Sequence, residues 1–187
     1  MKKSIFVSII LVLFSTMLFA QATPPPSADQ VLSEAMKQAT KEHKSVFIMF
    51  HASWCGWCRK MDESMNDPAI KAYFDNNYVI RHLTVTESKG KENLENPGAA
   101  ELLKKYNSDG LGIPVWFIFD NKGKLLADSH LRPEGTGFDV KGSGIIGCPA
   151  QKDEVDEFIK SLKKSSSLKE NELAAIAVRF SKNNPGH

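Results

Sequence analysis

The chain has 187 residues, of which 24 are Lys or Arg, 22 are Asp or Glu and 42% are hydrophobic. This length suits one compact domain with a single core, and the near-neutral charge argues against nucleic acid or an anionic membrane surface as the partner. The three cysteines are too few and too unevenly spaced for a fold that is held together by disulfides.

Residues 1–22 have the pattern of a secretory signal peptide. Lys2 and Lys3 begin it, an apolar run covers residues 5–19, and small residues precede a cleavage point near Ala22. The run is shorter than the ~20 residues of a membrane-spanning helix, so we expect cleavage and export to the periplasm, with a retained anchor as the alternative. Without the two lysines, 22 basic side chains balance 22 acidic ones.

Residues 23–28 are predicted to form a short Pro-rich linker between the signal segment and the domain. Three consecutive prolines, Pro24 to Pro26, exclude a helix there. Asp29 is then predicted to cap a helix that runs to about Glu42, because apolar residues recur at three-and-four spacing. We expect the domain to occupy residues 29–164.

Short apolar runs and amphipathic segments follow one another through the rest of the domain. Ser45–Phe50 is continuously apolar, which is typical of a strand covered on both faces. Further strands are predicted at 78–84, 115–119 and 124–129. Further helices are predicted at 59–65, from the break at Asp67-Pro68 to about Phe74, at 97–106 and at 153–164. An exposed loop is expected at 87–96 and an irregular one at 131–147. The turn Asp120–Gly123 favours a hairpin between the last two strands.

The alternation of strands and helices predicts an α/β fold. We expect a central mixed β-sheet of four or five strands, flanked by helices on both faces. Residues 165–187 are predicted to add a serine-rich hinge and an extra C-terminal helix from Leu168 to about Phe180.

Cys55 and Cys58 form a CxxC pair, and they carry the strongest chemical signal in the chain. They follow the buried strand and open a helix, so the free N–H groups and the dipole of the helix N-terminus would stabilise a Cys55 thiolate. Cys55 is therefore predicted to attack a disulfide, and Cys58, the more buried of the two, to resolve the intermediate. This chemistry needs no cofactor and no metal.

The sequence resembles the thioredoxin superfamily over Asp29–Lys164, especially its exported thiol-disulfide oxidoreductases. The resemblance rests on Trp54-Cys55-Gly56-Trp57-Cys58 after the buried strand and on Gly112-Ile113-Pro114 before another strand. It implies a thioredoxin-like fold and a redox-active centre, with Pro114 cis and facing the cysteine pair and the Ile113 backbone binding substrate.

Two residues depart from that family pattern. Met49 stands where a buried acid is usual, and Trp57 replaces a proline.

Both Trp54 and Trp57 are assigned to the substrate-binding surface, with Trp54 expected to pack against the domain and Trp57 to be exposed. The protein is expected to be a monomer. Its expected partners are protein disulfide substrates and an electron donor in the envelope, such as a membrane thiol relay.

Metal binding is the alternative to redox chemistry for these thiols. A zinc site would need two more ligands than the pair supplies. The main alternative is copper(I) binding or metal delivery through the same pair, beside His51. His51, His82 and His130 are otherwise interpreted as structural, and Cys148 as a buried inert thiol or, alternatively, as the source of a regulatory disulfide.

Overall fold

The fold is built on a four-stranded sheet whose order is β2-β1-β3-β4, in a computed structural model that describes residues 23–133 and 135–186. The strands are β1 (Ser45–His51), β2 (Tyr78–Thr84), β3 (Val115–Phe119) and β4 (Leu125–Asp128). β1 is parallel to β2 and antiparallel to β3. The predicted mixed sheet is thus confirmed, with four strands. The predicted signal peptide lies outside the described residues.

Helices cover both faces of this sheet. They are α1 (Ala28–Glu42), α2 (Gly56–Met65), α3 (Lys71–Asn77), α4 (Ala99–Lys105), α5 (Lys152–Ser165) and α6 (Glu170–Ser181). Side chains of α1 and α4 pack on one face, and those of the other four helices pack on the opposite face. Among the described residues, no helix combines the length and apolar character needed to cross a membrane.

The apolar run of β1 is explained by the two cores that it separates. Phe47 and Met49 point into the core beneath α2 and α5, whereas Ile48 and Phe50 point into the core beneath α1. Every residue from Val46 to Phe50 is at most 1% exposed. Because both faces of this strand are buried, polar and apolar residues do not alternate along it, and its sequence is continuously hydrophobic.

The start of the first helix differs from the prediction. Ser27, not Asp29, is the N-cap, and its side chain accepts a hydrogen bond from the Gln30 N–H at 3.2 Å. Asp29 lies instead in the first turn, where its negative charge favours the helix dipole. Both residue types are good caps, so composition could not separate them.

The glycine-rich segment 131–147, predicted to be an irregular loop, contains part of a small ribbon. His130–Leu131 (β5) pairs with Gly144–Ile145 (β6) in antiparallel register. Each strand has two residues, which is too short for any alternating pattern to appear in the sequence. The Ile146 N–H donates to the carbonyl of Ser129, the residue after β4, at 2.7 Å. The Trp116 indole N–H of β3 donates to the Gly147 carbonyl at 3.0 Å, so the ribbon is held beside the sheet.

The C-terminal helix α6 packs on the domain. Its apolar residues Leu173, Ile176 and Phe180 are at most 2% exposed, and the Phe180 ring lies 4.9 Å from that of Phe158. Beyond the helix, Asn183 is also buried, at 2% exposure. The extra helix predicted from the sequence therefore completes the core beneath α2 and α5.

Candidate active site

The CxxC pair lies where the central strand β1 gives way to α2. Cys55 is the N-cap of α2, and Cys55 and Cys58 form a disulfide with an S–S distance of 1.98 Å. The Cys58 N–H donates to the Cys55 sulfur at 3.1 Å. This is the donor geometry that would stabilise a Cys55 thiolate after reduction, because a helix N-terminus presents unpaired N–H groups.

Both cysteines are shielded in the disulfide form. Cys55 is 2% exposed and Cys58 is 1% exposed, so burial does not single out Cys58 as the resolving thiol. Their positions do distinguish them, since Cys55 caps the helix and Cys58 lies inside its first turn on the face that packs against the domain.

The loop before β3 lies directly against the disulfide. The Ile113–Pro114 peptide bond is cis, as the resemblance implies. The Ile113 carbonyl oxygen lies 3.8 Å from the Cys55 sulfur, and its side chain packs against Ala52, Cys55 and Cys58. Ile113 is therefore next to the reactive sulfur of Cys55, and the substrate-binding role of Ile113 and Pro114 stays a prediction.

A clamp that the sequence analysis missed holds the segment before Cys55. The Ser53 N–H and hydroxyl donate to the two carboxylate oxygens of Glu87, at 2.5 and 2.7 Å. These hydrogen bonds lower the pKa of Glu87 below its ordinary value. The indole N–H of Trp54 donates to the Thr86 carbonyl at 2.9 Å in the same region.

A topological signal could have indicated this clamp. Glu87 follows β2 closely and Ser53 follows β1, and the two strands are parallel neighbours. The carboxyl ends of parallel strands meet at one edge of a sheet, so polar residues after both strands come together there. The sequence alone predicts only that residues 87–96 form an exposed loop.

The two tryptophans frame the disulfide on the surface. Trp54 is 53% exposed, so the prediction that it packs against the domain is wrong. Its contact with the domain described above is the indole hydrogen bond to the Thr86 carbonyl. Trp57 is 46% exposed, as expected, and the Lys60 ammonium lies 5.0 Å from its ring centroid. Each therefore has an aromatic surface available beside the cysteines.

The position that lacks the usual buried acid is filled by Met49, which is 1% exposed. Its neighbour in the β1–β2 register is His82, whose Nε2 lies 2.8 Å from the Asp62 carboxylate. The His51 ring lies 5.2 Å from that of His82, and His51 Nε2 lies 3.2 Å from the Thr84 hydroxyl. Desolvation lowers the pKa of His51, so it is neutral at pH 7.

The surroundings of His51 and the cysteine pair can be compared with the alternatives in which the pair binds zinc or copper(I). Among the residues that the structure describes, no group of three or more His, Cys, Asp or Glu side chains is arranged to hold a metal ion. The hydrogen bond of His51 points to β2, and both sulfurs of the pair are in a disulfide.

Cys148 is a free thiol in a closed environment. It is 6% exposed, and the Asn183 side-chain amide donates to its sulfur at 3.5 Å. Burial raises the pKa of Cys148 to about 12. The thiolate is therefore suppressed at neutral pH, in agreement with the interpretation as an inert thiol.

A groove of about 350 Å³ runs from the disulfide region toward the end of the chain. Its lining is mostly apolar. It comprises Trp57, Leu111, Gly112, Ile113, Pro114, Ile145, Ile146, Gly147, Cys148, Ala150, Gln151, Glu154 and Pro185. The groove thus joins three predicted substrate-binding residues to parts of the chain that the sequence analysis gave no role.

Comparison with known proteins gives one family and several partial relatives. The sequence model of a family described as thioredoxin-like matches residues 28–121, half of the chain. Protein disulfide-isomerase A5 from Bos taurus is 50% identical over 58 residues, which are 30% of this chain, and that from Mus musculus is 40% identical over 55 residues, 26% of it. The chain spans only 11% of the length of each of these curated relatives.

Among solved structures, the disulphide isomerase from Xylella fastidiosa Temecula1 is similar at 22% identity with a TM-score of 0.43. The match covers 52% of this chain and 69% of the other. The C-terminal domain of DsbD from Neisseria meningitidis is similar at 26% identity with a TM-score of 0.38, over 56% and 84% of the two chains.

Proposed function

The chain belongs to the thioredoxin-like family, and from that premise we propose that it is a thiol-disulfide oxidoreductase that reduces or exchanges protein disulfides outside the cytoplasm. The observation that carries the proposal is the Cys55–Cys58 disulfide at the N-terminus of α2, with the Ile113–Pro114 loop against it. The Cα atoms of the two cysteines lie 5.3 Å apart, a separation at which a disulfide can form and break without a large rearrangement of the backbone.

The reductive half of the cycle starts from the dithiol. The Cys55 thiolate attacks one sulfur of a substrate disulfide, forms a mixed disulfide and releases the other substrate sulfur as a thiolate. The Cys58 thiol loses its proton and attacks the Cys55 sulfur, which releases the second substrate thiolate. Two electrons pass to the substrate, and the Cys55–Cys58 disulfide is restored.

Two features of the site favour Cys55 as the attacking sulfur. The Cys58 N–H that donates to it in the disulfide would also stabilise its thiolate, together with the dipole of α2. The Ser53–Glu87 clamp fixes the segment just before Cys55. A nucleophile held in place reacts faster than a mobile one, because less orientation entropy is lost at the transition state.

A reductase of this kind must be reduced again after each turnover. We propose that a dithiol protein of the envelope, such as a membrane thiol relay, supplies the two electrons by the reverse exchange at the same pair. The compartment follows from the predicted signal peptide at residues 1–22, whose removal would be checked by sequencing the N-terminus of the exported protein.

Trapping of the intermediate tests the proposal. In Cys58→Ser, the mixed disulfide on Cys55 cannot be resolved, so a substrate protein should remain attached until a reductant is added. Cys55→Ser should trap far less, and Cys148→Ser, the matched control, should turn over like the wild type.

Two results would count against the proposed function. One is an absence of any trapped species in Cys58→Ser with several disulfide substrates. The other is a purified wild-type protein whose Cys55 and Cys58 thiols stay blocked by stoichiometric bound metal, which would favour copper(I) delivery.

A further inference from the structure

The groove beside the disulfide has one wall that does not come from the family-matched part of the chain. Trp57, Ile113 and Pro114 line it near the cysteines, whereas Ile145 and Pro185 line it farther along the chain. The family model ends at residue 121. The second wall therefore comes from the β5–β6 ribbon and from the segment after α6.

The groove is continuous with the place where a substrate must bind. A substrate sulfur bonded to Cys55 lies next to Ile113, which both contacts Cys55 and lines the groove. An extended polypeptide advances about 3.3 Å per residue. A substrate segment that follows the groove away from Cys55 would pass over Trp57 and Ile113 toward Ile145.

The chemistry of the lining favours an apolar side chain. Among the described residues that line the groove, Glu154 is the only charged one. Its carboxylate already accepts hydrogen bonds from the backbone N–H groups of Ala150 and Gln151, both at 3.0 Å. A substrate carboxylate would lose water there and would meet a like charge, whereas an apolar side chain would gain contact with the two walls.

We infer that Ile145 and Pro185 form a selectivity wall for the substrate polypeptide. The wall favours disulfides whose reacting cysteine has a large apolar residue close to it in sequence. This inference rests on the proposed function and adds the class of substrate to it. The occupant is an extended segment of another polypeptide, with its disulfide on Cys55.

Model peptides that carry a glutathione mixed disulfide on one cysteine provide the test. Two peptides differ only in having Leu or Asp next to that cysteine. The protein is first reduced, and kcat/KM for each peptide is obtained from single turnovers with glutathione release as the readout. The wild type should prefer the Leu peptide by about tenfold, a factor typical of one apolar side chain in a pocket.

Substitutions at the wall should change this preference and not merely the rate. Ile145→Lys and, independently, Pro185→Lys should bring the Leu-to-Asp ratio close to one, because each removes apolar contact with Leu and offers the Asp side chain an opposite charge. The matched control is Val140→Lys, which adds the same charge at an exposed valine in the β5–β6 connection. This valine does not line the groove, so the variant should keep the wild-type ratio. Two separate variants guard against misfolding of either one.

The outcomes separate the two proposals. If the wild type exchanges disulfides but does not prefer the Leu peptide, or if both wall variants keep its preference, the selectivity wall is wrong and the proposed function stands. If the wild type exchanges neither peptide nor any protein disulfide, the proposed function fails and the inference fails with it.

Discussion

At the scale of single residues, the three cysteines differ because their surroundings differ. Cys55 receives an N–H donor at a helix N-terminus, which favours its thiolate. Cys148 is enclosed by the core beneath α5 and by Asn183, which favours its neutral thiol. The first environment suits reaction and the second suits packing.

The contrast gives a prediction for alkylation. Because burial raises the pKa of Cys148 to about 12, its thiolate fraction at pH 8 should be on the order of a thousandfold below that of an ordinary cysteine. In the folded protein with the Cys55–Cys58 disulfide intact, iodoacetamide should leave Cys148 unmodified for hours, as measured by peptide mass. In denaturant it should react at once, and equal rates in the two states would contradict this account.

The sequence predicts the pair Cys55 and Cys58 but not all of the residues that surround it. The CxxC spacing and the preceding apolar strand suffice to place Cys55 at a helix N-terminus, since both signals are local. The Ser53–Glu87 clamp joins residues that follow two neighbouring strands, and only the strand order brings them together. The exposure of Trp54 likewise depends on how its loop leaves the sheet.

At the scale of elements, the cap of α1 provides a direct comparison. Ser27→Ala removes the side-chain acceptor of the Gln30 N–H and should lower the free energy of unfolding by about 1 kcal/mol. Asp29→Asn, at the residue predicted from the sequence to be the cap, should cost less, on the order of 0.3 to 0.5 kcal/mol for a first-turn charge. Urea unfolding of both variants checks the order, and a larger loss for Asp29→Asn would contradict it.

The segment after α6 is expected to contribute to stability through one buried amide. The Asn183 side chain donates to the Pro149 carbonyl at 3.2 Å and to the Ser64 hydroxyl at 3.0 Å. Asn183→Ala leaves these acceptors without that donor and should cost about 1 to 3 kcal/mol in urea unfolding.

The neighbouring Asn184 offers the matched control. It is partly exposed, and its amide donates to the Gln151 side chain at 3.3 Å on the surface. Asn184→Ala should change the free energy of unfolding by no more than about 0.5 kcal/mol. Equal losses in the two variants would mean that the segment after α6 is not docked as described.

The strands were predicted well where the core imposes a pattern. β2 and β3 have the bounds expected from their apolar runs, and the Asp120–Gly123 turn joins β3 to β4 with Gly123 at a φ of 85°. The β5–β6 ribbon was missed because contacts with Ser129 and Trp116, distant in sequence from β6, support its pairing, and its own composition does not indicate it.

At the scale of the whole molecule, one mixed sheet divides two cores and presents the disulfide at the carboxyl end of its central strand. The fold class could be predicted because the alternation of strands and helices is regular along the chain. The groove could not be predicted, since it forms only when the ribbon and the segment after α6 meet the Ile113–Pro114 loop. Those contacts join parts of the chain that are distant in sequence.

The most direct test of the central claim is an equilibrium redox titration of the Cys55–Cys58 pair against glutathione, read by alkylation and peptide mass. A pair that cycles should show one two-electron transition between about −120 mV, typical of an oxidant, and about −270 mV, typical of a reductant. Cys148 should stay unchanged throughout. A potential below about −300 mV would mark a structural disulfide and contradict the account, as would a pair that never becomes oxidised.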